Sequence, residues 1–162
     1  MARAIHRLGP ATLKDYPVDS TTVVTKGDLM FLDTDDAKPA ASFTWDTNIA
    51  TTQAAFNNVF IGVAAEGRAS GDAATTIAID VDPASVWEYD QAADAVLTGG
   101  LVGPAKASGN ALENQKVVEV SSAANAIGRC HVGVTSSATR IQCTFGSARH
   151  TASANANAAF GS

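Results

Sequence analysis

Arg140-Ile141-Gln142-Cys143-Thr144-Phe145 alternates polar and apolar side chains with a period of two. An extended chain with that period puts Ile141, Cys143 and Phe145 on a core face and Arg140, Gln142 and Thr144 on the opposite one. Residues 126–134, just before it, carry the same period. A turn at Ser136-Ser137 sets Val132 opposite Ile141 and Cys130 opposite Cys143, with Cys130, Val132 and Val134 on the core face and His131 pointing away. Counted outward from a two-residue turn, the cysteines form a non-hydrogen-bonded pair, the closer kind. The stretch predicts a half-buried antiparallel hairpin whose two cysteines touch.

Further runs of the same kind precede it. Val24-Thr25-Lys26-Gly27-Asp28-Leu29-Met30-Phe31-Leu32 opens the series, Phe60-Ile61-Gly62-Val63-Ala64 and Thr76-Ile77-Ala78-Ile79-Asp80-Val81 follow, and Val86-Trp87-Glu88-Tyr89 and residues 116–120 lead to the hairpin. Seven β-like stretches within residues 24–146, separated by turns, predict an all-β fold: a small antiparallel β-barrel or sandwich. The one helix signal is residues 47–58, where Thr47 or Asn48 caps the start and Ile49 and Phe56 fall on one face. Trp45 is expected to pack this insertion onto the barrel. Asp33-Thr34-Asp35-Asp36 reads as a turn, Pro39 as a strand breaker, and Gly99-Gly100-Leu101-Val102-Gly103-Pro104 as a loop.

The boundaries follow from the ends. Residues 1–18 hold Pro10 and Pro17 and no sustained period, so they read as an extended N-terminal arm with little structure of its own. Residues 19–150 make a single β domain carrying the helical insertion. Residues 151–162 are a charge-free run of Ala, Ser and Asn that ends in Phe160-Gly161-Ser162, read as a flexible tail.

Charge is uneven along the chain. The net value is −5, yet every Asp and Glu lies between Asp15 and Glu119, while Arg3, Arg7 and Lys14 precede that body and Arg129, Arg140 and Arg149 follow it. An acidic body with basic ends argues against direct nucleic-acid binding, which needs a broad basic patch, and suits ends that dock on an acidic protein. No leader-like apolar region opens the sequence and the longest apolar run, residues 59–65, is too short to cross a bilayer, so no membrane partner is expected. Synthesis in the cytoplasm then keeps both cysteines reduced.

Catalytic motifs are missing from the sequence. There is no Gly-x-Ser-x-Gly elbow, His-Glu-x-x-His helix or Gly-x-x-x-x-Gly-Lys loop. His131 adjoins Cys130, but adjacent strand side chains point to opposite faces, so the two do not form a nucleophile and base. Asp33-Thr34-Asp35-Asp36 lacks the later ligands of a calcium loop, and Asp80 with Asp82 has no further ligands in sequence. Glu88 and Asp90 line a polar strand face, and Trp87 and Tyr89 read as packing rather than a sugar platform. No enzyme activity, metal or cofactor is expected.

The order of segments resembles a known family. Thr25-Lys26-Gly27-Asp28-Leu29-Met30-Phe31-Leu32, Phe60-Ile61-Gly62-Val63-Ala64, Val86-Trp87-Glu88-Tyr89, Val102-Gly103-Pro104, Asn114-Gln115-Lys116-Val117 and Ala126-Ile127-Gly128-Arg129 together resemble the capsid cement or decoration proteins of tailed bacteriophages. The resemblance covers residues 24–146. It implies a non-enzymatic β-tulip-like domain on the outer surface of the mature head, commonly a trimer at threefold positions, that stabilises the shell against internal pressure. The implied partners are the major capsid protein and copies of the chain itself. An alternative reading is a minor head-fibre or tail component that binds host glycans; a third, a cytoplasmic β-barrel enzyme, needs a pocket lined by Glu88, Asp90 and His131.

Partner recognition falls to the arm on this reading. Arg3, Arg7 and Lys14 combine there with Ile5, Leu8, Leu13 and Tyr16, and prolines discourage regular structure, so the arm is expected to order on contact. Arg3, Ile5, Arg7, Leu8, Leu13 and Tyr16 are the candidate contact residues. Deleting residues 2–15 is expected to leave the barrel folded and weaken binding.

Overall fold

The computed structural model describes residues 4–147 together with Arg149 and His150. The all-β expectation holds: among the described residues there are eleven strands and one α-helix. The strands are β1 Ile5–Leu8, β2 Leu13–Pro17, β3 Leu29–Asp33, β4 Asp36–Pro39, β5 Phe60–Ala64, β6 Thr76–Asp80, β7 Val86–Gln91, β8 Leu101–Lys106, β9 Leu112–Glu119, β10 Gly128–Cys130 and β11 Arg140–Phe145. The helix α1 is Ile49–Val59.

One sheet rolls into a barrel. Its order is β1-β7-β11-β10-β8-β9, and β9 returns to β7 through a short parallel contact, Asp90 opposite Lys116 and Gln91 opposite Val117. Because β11 pairs with β7 from Val86 to Asp90 along one edge, β1 and β9 must share the other. There β1 takes the first half, with Ile5 opposite Glu88 and His6 opposite Trp87, and β9 the second. The other sheet runs β2-β6-β5-β3-β4.

The centre of the second sheet, β5 and most of β3, is buried on both faces. Leu29, Phe31, Phe60 and Val63 join the barrel lining of Trp87, Tyr89, Val102, Ile127, Ile141 and Phe145 in the main core, while Met30, Ile61, Ile77 and Ile79 meet Tyr16 and Val18 in a second one. That is why β5 reads as an unbroken apolar run instead of an alternating one. Gly62, at φ +146°, lies where a Cβ would come within 2.3 Å of the Asp80 carbonyl oxygen, so glycine alone fits this crossing of β5 and β6. Arg68 organises the loops beside the second core: its buried guanidinium donates to the carbonyls of Asp19, Thr22, Asp72 and Ala74.

The helix forms where expected, with Asn48 as its cap. Asn48 Oδ1 accepts from the Thr51 amide at 3.1 Å while Thr51 Oγ1 accepts from the Asn48 amide at 3.2 Å, a reciprocal capping box. Phe56 turns into a cluster with Phe31, Phe43 and Phe60, ring centroids 5.3 to 5.8 Å away. Trp45 packs against the main core and carries Lys106 over its ring at 4.9 Å.

Four readings change. The arm is extended, but it is not without structure: β1 is a strand of the barrel sheet and β2 of the second sheet. Edge strands with both faces largely exposed show no alternation, and Pro10 and Pro17 sit in the corner turn and at the strand end, where a missing donor costs little. Residues 101–104 form most of β8 rather than a loop. Pro104 is tolerated because its backbone faces away from β9, and its carbonyl accepts instead from Gln53 Nε2 of α1 at 2.9 Å. Asp33 pairs with Asp36 to start a hairpin, so Pro39 ends an edge strand, β4, instead of interrupting one. Val132 is exposed, since the chain leaves the ladder after His131 and Val134 meets Val96 across an isolated bridge. The expected flexible tail, residues 151–162, lies outside the described residues.

The cysteine register is as read. Cys130 faces Cys143, and the His131 amide donates to the Gln142 carbonyl at 2.7 Å, which makes the cysteine pair the non-hydrogen-bonded kind. Both side chains are buried free thiols, and burial pushes both thiol pKa values up, leaving little reactive thiolate. We expect a thiol reagent such as DTNB to find no reactive cysteine in the folded protein and two after denaturation. One fast-reacting thiol in the native state would contradict the packing.

Candidate partner-binding surface

Five of the six candidate contact residues separate into three environments. Leu8 and Leu13, 53% and 57% exposed, flank the corner where the chain leaves the barrel sheet and joins the second sheet. Gly9, at φ +82°, seats this turn so closely that a Cβ would lie 2.2 Å from the Ala84 carbonyl oxygen. The corner is therefore held against the body and presents two leucines outward. Ile5, 41% exposed, lies at the start of β1 and lines a groove.

Arg7 and Tyr16 are engaged within the fold. Arg7 donates to Glu88 through Nε and a terminal nitrogen at 3.1 and 2.9 Å, and Arg140 bonds Glu88 at 3.1 Å and also pairs with Asp90. These alternating charges cross β1, β7 and β11 on the outer barrel face. Tyr16 is buried in the second core with its hydroxyl 2.8 Å from His150 Nε2. Lys14 lies over the Tyr16 ring at 5.3 Å; burial, then Lys14 and Arg149, hold the His150 pKa below its usual value. The structure thus brings one basic residue of the N-terminal segment beside two of the C-terminal segment. Arg3 lies outside the described residues.

The Glu88 carboxyl is held below the usual carboxylate range, first by the Arg7 hydrogen bond. A depressed folded-state value adds stability above the unfolded pKa of about 4.3, and this is lost as pH falls through the folded value. We expect Glu88→Gln to cost about 1 kcal/mol at pH 7, the scale of a solvent-screened pair, and to cost less at pH 2.5, below the unfolded value. Urea denaturation at the two pH values checks this; an undiminished difference at pH 2.5 would sink it.

The groove opens where β1 and β9 diverge from their shared edge of β7. Its volume is about 800 Å³, with walls from Ala4 and Ile5 on one side and Ala107, Ala111, Leu112 and Glu113 on the other, and with Thr25, Lys26 and Asp28 between them. Gln115 clasps the apex: its Oε1 accepts from the Ala4 amide at 2.7 Å, and its Nε2 donates to the Lys26 carbonyl and to Asp28 Oδ1 at 3.1 and 2.8 Å. Asp28 also accepts from the Thr25 amide at 2.8 Å, and burial raises its pKa. Sequence reading noticed Ile5 but missed the opposite wall, because the divergence of two strands from a third is a tertiary feature with no local signal.

The other polar residues considered in the sequence have structural work. Asp80 Oδ2 accepts from Ser85 Oγ at 2.5 Å and Trp87 Nε1 at 3.0 Å, and Asp82 accepts from Thr12 and the Ala84 amide. Tyr89 donates to the Gly27 carbonyl at 2.5 Å. Glu88 and Asp90 are matched by arginines, and exposed His131 does not share a face with buried Cys130. No group of three or more His, Cys, Asp or Glu side chains among the described residues is placed to hold a metal.

No protein-family model matches the chain, and no curated protein matches it. Among solved structures, it is similar to the N-terminal base of the head fibre protein gp8.5 of bacteriophage phi29, at 12% identity and a TM-score of 0.46, over 83% of this chain and 94% of that one. The likeness is too distant to carry function across.

Proposed function

We propose that the protein is a non-enzymatic structural component of a tailed-phage virion, a decoration or cement protein on the outer surface of the head. The observation that carries the reading is the corner of Leu8 and Leu13: two exposed leucines on a turn braced against Ala84, in a body whose buried Asp28, Asp80 and Gln115 are engaged by its own fold. Exposed apolar side chains on a rigid support suit docking, because little ordering entropy opposes the gain from burying them. The ordered resemblance to decoration proteins supports it further, since its quoted segments fall on or lead into β3, β5, β7, β8, β9 and β10. On a capsid lattice a modest contact repeated by neighbouring copies holds firmly, and a cyclic trimer is the arrangement that matches threefold positions.

The test is binding of the purified protein to expanded heads that lack it, followed by heat or osmotic challenge. Saturable binding with raised resistance is expected, with Leu8→Lys combined with Leu13→Lys weakening binding while leaving the unfolding transition in place. Heads that bind nothing overturn the reading, and heads equally fragile with and without bound protein reduce it to decoration without cementing. Density for isolated monomers at every site removes the trimer.

A further inference from the structure

Two strand margins face each other across the groove. Edge β1 has no neighbour other than β7 among the described strands, and the first half of β9 has not yet reached β7: their parallel contact begins only at Lys116. The β8–β9 ladder is irregular over the same stretch, where pairing jumps from Pro104–Val117 to Lys106–Leu112. Backbone at such margins is a template for an added strand. Four alanines, Ala4, Ala41, Ala107 and Ala111, line the groove beside Ile5 and Leu112, so an incoming strand can approach closely if its side chains are small.

We propose that this groove accepts an added strand, and that its occupant is residues 151–162 of a neighbouring copy of the chain. That segment is uncharged and holds five alanines and a single large side chain, Phe160, which suits an alanine-walled slot that offers its charges only at Lys26, Asp28 and Glu113. The segment follows His150, which is fixed to Tyr16 on β2, and twelve extended residues reach about 40 Å, enough to enter the groove of an adjacent molecule. The added strand joins copies head to tail, a heterologous contact that closes into a ring or continues as a chain. This inference does not rest on the capsid reading, and its test involves no heads.

The experiment is amide hydrogen exchange on the full chain at low and high protein concentration, with sedimentation velocity on the same samples. Association and about ten-fold slower exchange at residues 5–8 and 112–115 are expected at high concentration. Excess synthetic peptide of residues 151–162 should dissociate the assemblies yet keep those amides protected. Ala111→Glu should abolish both effects with the denaturation midpoint unchanged, and Ala41→Glu on another wall serves if the first variant fails to fold. Protection independent of concentration would assign the groove to the chain's own tail, and no protection at any concentration would leave it empty; either result overturns the proposal.

Discussion

Deletion of residues 2–17 is expected to abolish cooperative folding, not merely partner binding. The segment supplies the edge strand of the barrel sheet and the edge strand of the second sheet. Without β1, Trp87 loses the His6 ring packed against it at 5.4 Å, and Ala4 no longer closes over Gly27 and Gln115. Without β2, the backbone of β6 loses its partner from Thr76 to Asp80, and Ile77 and Ile79, now 1% and 0% exposed, lose the cover of Tyr16. At roughly 1.5–3 kcal/mol per large buried side chain, exposing these groups consumes a stability that for a domain is only about 5–15 kcal/mol in total. Far-UV circular dichroism with urea titration should show no cooperative transition. A transition within about 1 kcal/mol of the intact protein would restore the arm as a separable appendage. Deleting residues 2–4 alone should leave the transition in place, which separates the strands from the residues before them.

Asp80→Ala is expected to cause a large loss for a single polar side chain, on the order of 3–4 kcal/mol. Asp80 lies on β6 of the second sheet, but two of its hydrogen bonds go to Ser85 and to Trp87 at the start of barrel strand β7. A third, from the Asp82 amide at 3.1 Å, holds the turn between β6 and β7. The carboxylate therefore fixes how one sheet hands the chain to the other. Removing it leaves the indole N–H and the Ser85 hydroxyl buried without that acceptor, the costly half of a broken buried bond. For a chain of this length the loss corresponds to a fall in Tm of roughly 6–16 °C. Asp80→Asn tests the cause, because its amide offers one acceptor where the carboxylate offers two, so it should recover only part of the loss. A Tm within about 2 °C of the parent for the alanine variant would show that the bonds contribute little net stability.

The fold was most legible where one face of a strand is buried and the other wet. Residues 140–145 and 128–130 alternate cleanly, and the period of two fixes both face and register, so the Cys130–Cys143 pairing is legible in the sequence. The helix was equally plain, because a cap is a local event: Asn48 and Thr51 satisfy each other's backbone across one turn. Val132 went wrong for the complementary reason. Local alternation continues through it, but a bridge from Val134 to Val96, 38 positions away, pulls the chain out of the ladder.

The candidate surface was legible only as a set of residues. Composition marked Ile5, Leu8 and Leu13 as apolar side chains needing cover, and they are among the exposed large hydrophobics; it also marked Tyr16, which the second core buries, and Arg7, which Glu88 pairs. Nothing local distinguishes these cases, because an edge strand that is exposed on both faces and a strand end that packs under a neighbouring loop have the same short, irregular pattern.

Sequence by itself determined the all-β class, the helix and its cap, and the closing hairpin register, since each rests on interactions between residues near one another in the chain or on a period repeated within one strand. Tertiary structure alone decided that residues 5–8 and 13–17 belong to two different sheets, that β9 rejoins β7 in parallel, and that a groove opens where β1 and β9 part. Those features depend on pairings between residues far apart in sequence, Ile5 with Glu88 and Asp90 with Lys116 among them. Backbone hydrogen bonds carry no side-chain identity, so which edge accepts which strand is settled only when the whole core closes.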